Sequence, residues 1–121
     1  MNKGNKNRKL TLSELLRMYS EGKRDFMGYD LSHMDLRGED LRGADFSFCD
    51  LRGTNFRGAD LRDAKFAYAD LRNADLYYAK LEGANFKGAK LRGAEVNLGG
   101  TSVTIGKQWY EDKPEEEYTK W

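Results

Sequence analysis

The chain is poor in the residues that most chemistry needs. It has one cysteine, Cys49, and one histidine, His33. A lone cysteine permits no intrachain disulfide and no cysteine-rich metal site. His33 falls where the chain turns, a solvated position, and no histidine lies near Cys49 in register, so Cys49 reads as a buried inert thiol rather than a nucleophile. There is no charge excess either. The net charge of +1 divides into +4 over residues 1–23, −1 over 24–98 and −2 over 99–121, which fits neither the basic face of a nucleic-acid binder nor an acidic decoy. No apolar run approaches the roughly 20 residues that cross a membrane. The opening MNKGNKNRKL is basic without an apolar stretch, so a secretory signal is not expected and a cytoplasmic location is. Phosphate-cradling glycine runs are missing, because the glycines of the middle region stand singly.

What the chain has instead is a period of five. Residues 24–98 divide into fifteen pentads without an insertion, centred on Phe26, Leu31, Leu36, Leu41, Phe46, Leu51, Phe56, Leu61, Phe66, Leu71, Leu76, Leu81, Phe86, Leu91 and Val96. Two residues before the centre stands Ala from position 44 onward, with Cys49 and Thr54 as small substitutes. A polar residue immediately precedes the centre, and Arg then Gly commonly follow it. One large and one small inward position per pentad require a corner every five residues. A run such as Leu51-Arg52-Gly53-Thr54 suits a β-turn whose third residue takes positive φ. Four corners close a square coil of 20 residues, and Phe26, Phe46, Phe66 and Phe86 recur at that spacing, as do Leu31, Leu51, Leu71 and Leu91. The fifteen pentads make 3.75 coils, a rod of about 18 Å at the usual strand separation. An all-β solenoid of this kind is stabilised by neighbour stacking and needs covers at both ends.

This register, A(D/N)LxG over about 75 of the 121 residues, resembles the pentapeptide-repeat family. The lead-in LSELLRMYSEGKRDFMGYDLSHMDL is similar to that of small cyanobacterial members. The resemblance implies a right-handed quadrilateral β-helix. It implies a non-enzymatic protein-interaction or scaffold module, with topoisomerase protection by DNA mimicry as the alternative, against which the short coil and near-neutral charge both count.

Four segments are expected: a disordered basic tail over 1–9, a helical cap over 10–22, the β-helix over 24–98, and a capping segment with an acidic tail over 99–121. Thr11 and Glu14 form a capping-box pattern, Leu10 and Leu15 a staple, and Gly22 a stop. Leu12, Leu15, Leu16 and Tyr19 share one helical face. Inward positions of the first coil are enlarged to Arg24, Tyr29, Met34 and Glu39, and a buried Glu39 would require a partner from the cap backbone or an arginine. Val103, Ile105, Trp109 and Tyr110 are available to cover the last coil.

Aspartates before the centre and arginines after it, as in Asp50/Arg52, Asp60/Arg62 and Asp70/Arg72, flank one inward leucine and point outward together. They read as surface ion pairs, not as a metal site, and Arg52, Arg72 and Arg92 in one column lose their appeal to anions through the interleaved acids. No catalytic, cofactor or metal residue is expected, nor a nucleic-acid, membrane or small-molecule partner. Candidate contact residues are aromatic. Phe48 and Tyr68 replace Gly at one corner, a substitution that implies a turn other than type II. Tyr78 occupies the corner two faces round, and Tyr77 lies on the flat face against Arg57 as a cation–π neighbour. Either the C-terminal segment covers Tyr78 or Tyr78 joins the surface offered to a protein partner. The chain is expected to be a monomer or a weak homodimer.

Overall fold

A side chain pattern that returns inward every five residues cannot follow a helix or a flat strand, and the backbone turns a corner at each pentad instead. The computed structural model describes residues 8–97 and the backbone of 98 and 101–104. Parallel residue pairs twenty apart run without a break from Asp25↔Asp45 to Asp75↔Glu95, one pair for every five residues. Each pentad is therefore held to the next coil by its own short ladder. The Leu51 N–H donates to the Asp70 carbonyl (2.8 Å), the Gly53 N–H to the Arg72 carbonyl (3.0 Å), and the Asp70 N–H to the Cys49 carbonyl (3.0 Å). The corner closes on itself, with the Thr54 N–H donating to the Leu51 carbonyl at 3.1 Å.

All fifteen pentad centres are buried, as are Ala44, Cys49, Thr54 and most of the later alanines. Ala79 is the half-buried exception. The phenylalanines of one face form a continuous stack, with centroid separations of 5.7 Å (Phe26–Phe46), 5.5 Å (Phe46–Phe66) and 4.8 Å (Phe66–Phe86). Phe56 enters from another face and meets Phe66 edge-on at 83°. The two polar substitutes at small positions solve the same problem identically. Cys49 Sγ donates to the Phe26 carbonyl and Thr54 Oγ1 to the Leu31 carbonyl, each at 2.8 Å and each 23 residues back.

The corners correct one expectation. Bulky residues there do not select a different turn: Phe48, Tyr68 and Tyr78 have φ of 62°, 59° and 62°, in the same left-handed region as Gly53 (66°) and Gly58 (71°). The reason is cooperative. A corner that departed from its neighbours would break the ladder above and below it, so the register imposes the conformation even at the cost of about 1–2 kcal/mol that it carries for a residue with Cβ. Side chains at these corners lean toward the following coil. A Cβ placed on Gly53, Gly83, Gly88 or Gly93 would collide with His33, Asp63, Tyr68 or Asn73 respectively, the residue one coil earlier.

The N-terminal region begins sooner than expected. Lys9 pairs in parallel with Asp30, and Arg8 reaches both Glu14 (3.0 Å) and the Tyr29 ring, so the order extends to residues placed in the tail by sequence. The expected disorder of 1–7 lies outside the described residues. Leu10 is buried, and helix α1 (Leu12–Ser20) follows. Its capping box is complete: Thr11 Oγ1 accepts from the Glu14 N–H (3.1 Å) and Glu14 Oε1 from the Thr11 N–H (2.9 Å). At the other end the Lys23 N–H donates to the Met18 carbonyl and the Gly22 N–H to the Tyr19 carbonyl, a Schellman closure with Gly22 at φ 93°.

Two further expectations change here. Leu15 is buried and Leu16, Met18 and Tyr19 pack on the core, but Leu12 is exposed, lining an open groove beside Gly38 and Glu39. Of the enlarged first-coil positions, Tyr29 and Met34 are buried, whereas Arg24 is exposed and Glu39 half-buried. Arg24 instead stacks over the Tyr19 ring at 3.6 Å and donates to the Tyr19 carbonyl. Glu39 needs no buried partner, and none reaches its carboxylate among the described residues.

At the far end β1 (Glu95–Leu98) pairs with β2 (Thr101–Thr104) in antiparallel register, Glu95 opposite Thr104. Because Glu95 already pairs with Asp75 on its other side, β2 occupies the outer edge of that face. Asn97 marks the departure from the coil. Its side-chain Oδ1, rather than a backbone carbonyl, accepts the Tyr78 N–H at 2.8 Å. The expected covering roles of Val103, Ile105, Trp109 and Tyr110 rest on side chains outside those described.

Candidate interaction surfaces

The outer wall is built from the residue before each centre and the residue after it. Where these are Asp and Arg they clamp each other. Arg Nε and Nη2 donate to the two carboxylate oxygens of the Asp two residues earlier in Asp35/Arg37, Asp40/Arg42, Asp50/Arg52, Asp60/Arg62 and Asp70/Arg72, with Nη2 distances of 2.6–2.7 Å. The same Asp Oδ1 also accepts the Arg backbone N–H, so the carboxylate fixes the turn as well as the charge. The hydrogen bond from Arg42 holds Asp40 down to about 2. Burial pushes Asp70 upward, yet the Arg72 hydrogen bond leaves it below the ordinary carboxylate value. Arg52 and Arg72 are therefore spoken for, whereas Arg92, the third of the column, follows Lys90 and has no aspartate to clamp it.

Arg57 differs because Asn55 stands where the clamping Asp would be. Asn55 Oδ1 still accepts the Arg57 backbone N–H (3.0 Å), but it offers no second anionic oxygen. The guanidinium swings to the next coil, 4.5 Å over the Tyr77 ring and 6.0 Å from Tyr78, with Asp75 at 3.8 Å. Tyr77 and Tyr78 meet edge-on with centroids 4.1 Å apart, and Tyr78 is 62% exposed. The structure thus brings Arg57, Tyr77 and Tyr78 together. The signal for this cluster was Asn in place of Asp at position 55, which sequence reading passed over.

Phe48 and Tyr68 form a second, separate feature. Their rings stack at 5.3 Å and 19°, and they are 59% and 51% exposed. Ser47 beside them is buried and Ala67 half-buried, so nothing bulky screens the rings from that side. Tyr68 in turn rests on Gly88. Met27, one position before Gly28 at the head of the same corner column, is a further exposed apolar residue. Sequence reading missed it; the clue was an apolar residue where Arg usually stands.

Other candidates are quiet. Burial pushes the Cys49 thiol up to about 12. His33 is exposed with its ring over Gly53. An open groove of about 590 Å³ lies beside Leu12, Gly38 and Glu39, walled by Arg37 and Arg57. Among the described residues no His, Cys, Asp and Glu converge as a metal-binding group, and no helix is long and apolar enough to cross a membrane.

These features define a four-sided parallel β-solenoid with a polar, clamped wall interrupted by two aromatic corners. The profile of pentapeptide repeats matches residues 25–63 and 54–93, and the chain belongs to that family, whose members form right-handed quadrilateral β-helices. Among solved structures, a pentapeptide repeat protein from the thylakoid lumen of Arabidopsis thaliana is 36% identical over 73% of this chain, with a TM-score of 0.55. This chain spans 59% of that protein's length. A pentapeptide repeat protein of the cyanobacterium Cyanothece is 24% identical over 71% of this chain and 79% of its own, with a TM-score of 0.46. The plasmid-mediated fluoroquinolone resistance protein QnrB1 is 21% identical over 55% of this chain and 37% of its own, with a TM-score of 0.34. No curated protein matches.

Proposed function

We propose that this chain is a non-enzymatic binding module that meets a protein partner through the Phe48/Tyr68 ridge, with α1 shielding the N-terminal end of a coil of 3.75 turns. One observation carries the reading. Two large aromatic residues are stacked and held exposed at corners where the two adjacent columns use only Gly, Asp, Asn or His, in a backbone conformation that disfavours them. Strain of this kind, on the order of 1 kcal/mol or more per residue, persists where the surrounding structure enforces it and is concentrated at functional positions. Exposed aromatics are also enriched at the centres of interfaces.

The test is a Phe48→Gly, Tyr68→Gly double variant, which suits the left-handed corners better than the natural residues do. It should fold at least as well and lose its partner in affinity capture from the native host with mass spectrometry. Retention of every captured protein by the folded variant would refute the reading. Topoisomerase protection has no observation of its own in this chain, whose arginines and aspartates neutralise each other along the wall. A gyrase supercoiling assay with quinolone should accordingly show no rescue.

A further inference from the structure

We propose that the partner segment met by the Phe48/Tyr68 ridge, a contact that rests on the reading above, is an acidic peptide, and that Lys90 and Arg92 select it.

The face that follows the ridge along the chain is centred on Leu31, Leu51, Leu71 and Leu91. Each aspartate of that face has its cation. Lys9 stands 3.9 Å from Asp30, and Arg52 and Arg72 clamp Asp50 and Asp70 at 2.7 and 2.6 Å. In the last coil the pattern stops. Lys90 takes the aspartate's place, paired in the ladder with Asp70, and Arg92 follows with no carboxylate two residues before it. Both are exposed, and no hydrogen bond or ion pair engages either side chain among the described residues. This face therefore carries two unopposed positive charges, both at its C-terminal end.

That is the end at which Tyr68 lies. Its ring rests on Gly88, two residues before Lys90. One strand separation and two residues along the chain put the Cα atoms of Tyr68 and Lys90 about 8 Å apart, and Arg92 stands about 7 Å further along the face. On the other side of the ridge Asp45 pairs in the ladder with Lys65, so the negative charge sits toward Phe48 and the positive toward Tyr68. Asp63 and Glu95 lie at or past the far corners of these two faces.

A carboxylate docked beside Tyr68 meets an ammonium and an unclamped guanidinium, whose planar fork matches it in a bidentate contact. Exposed ion pairs alone are weak, and the stacked rings supply the apolar area that they lack. Charges at the rim of such a contact chiefly choose the partner and speed its encounter. A phosphate backbone is gripped through many cations at once, so two unclamped ones favour a peptide over a nucleic acid. The ligand class is a segment with an aromatic or aliphatic anchor for the ridge and Asp or Glu beside it.

The test pans the full-length protein against a phage-displayed random peptide library carrying one fixed tryptophan. Enriched peptides should hold Asp or Glu close to that tryptophan. The acidic excess should vanish on a Lys90→Gln, Arg92→Gln variant and turn to Lys and Arg on Lys90→Glu, Arg92→Glu, both variants keeping the native urea midpoint. A synthesised enriched peptide should bind the Gln variant roughly tenfold more weakly, as two exposed pairs allow. Arg37→Gln, on another face, should leave binding as it is. Enrichment without acidic excess, an excess that the Lys90 and Arg92 variants leave in place, or no enrichment at all would overturn the proposal. Duplex DNA bound by the native protein and released by the Gln variant would overturn it in favour of nucleic acid. Failure of the ridge itself reads differently. Acidic peptides would then still depend on Lys90 and Arg92 but bind Phe48→Gly, Tyr68→Gly undiminished, and the proposal, which needs both features, would fall with the ridge.

Discussion

Gly58 and Gly88 share a backbone conformation and differ in what lies over them, which makes them a matched pair. Gly58 has φ 71° and open space where a Cβ would go; Gly88 has φ 68° and would place its Cβ 2.5 Å from both Cδ1 and Cε1 of Tyr68. Alanine at Gly58 incurs only the left-handed conformation, about 1–2 kcal/mol. The unfolded chain loses freedom with the same change, which returns roughly 0.4–1 kcal/mol and leaves a net destabilisation of about 0.5–1 kcal/mol. Gly88→Ala incurs this and must also move the Tyr68 ring by about 1 Å to reach ordinary contact distance. The ring cannot shift freely, because it is stacked on Phe48 at 5.3 Å. Disrupting an aromatic pair adds about 0.5–1.5 kcal/mol. The expected total for Gly88→Ala is therefore about 1–2.5 kcal/mol. Urea unfolding followed by circular dichroism should show the Gly88→Ala midpoint below that of Gly58→Ala at an unchanged slope. In a Tyr68→Ala background the excess should vanish. Equal midpoints for the two alanine variants, or an excess that survives removal of Tyr68, would show that the leaning ring exerts no force on the following coil.

The aspartate clamps make stability fall in acid. Hydrogen bonds from the following arginines depress Asp35, Asp40, Asp50 and Asp60, with Asp40 reaching about 2; they also depress Asp70 against the upward push of burial. Folded values below the unfolded 3.8 stabilise the native state above that pH, and the contribution is lost as pH drops from about 4 toward 2. Urea midpoints measured across that window should decline, less steeply in high salt because the pairs are exposed. Cys49 should resist thiol reagents in the native protein and react only at the rate of unfolding, since it is buried, tied to the Phe26 carbonyl and raised to about 12; rapid native-state labelling would contradict this. Thr11→Ala removes the N-cap acceptor of α1 and should cost about 1 kcal/mol in urea unfolding, with Thr11→Ser close to neutral.

The period of five was enough to assign which residues turn inward, because a centre and its small partner leave only three positions for wall and corner. The four-sided coil, the stacked phenylalanines, the complete capping box and the outward aspartate–arginine pairs all follow from regular spacing, and regular spacing is what a sequence displays. The remaining features depend on what lies one coil away, twenty residues along the chain. A corner residue's backbone conformation is enforced by the ladders on both sides, which is why Phe48, Tyr68 and Tyr78 adopt the glycine conformation against their own preference. The Arg57–Tyr77 contact is expected from the twenty-residue stacking, but its cause, an Asn55 that cannot clamp Arg57 within its own pentad, is not. Leu12 faces solvent although it shares a helical face with buried Leu15, and Arg24 stacks on the Tyr19 ring instead of turning inward, contacts that the five-residue register does not announce. The sequence by itself determined the interior. The tertiary structure decided which of the outward residues are held fast by their neighbours and which stand free to bind, because those contacts form only when coils stack.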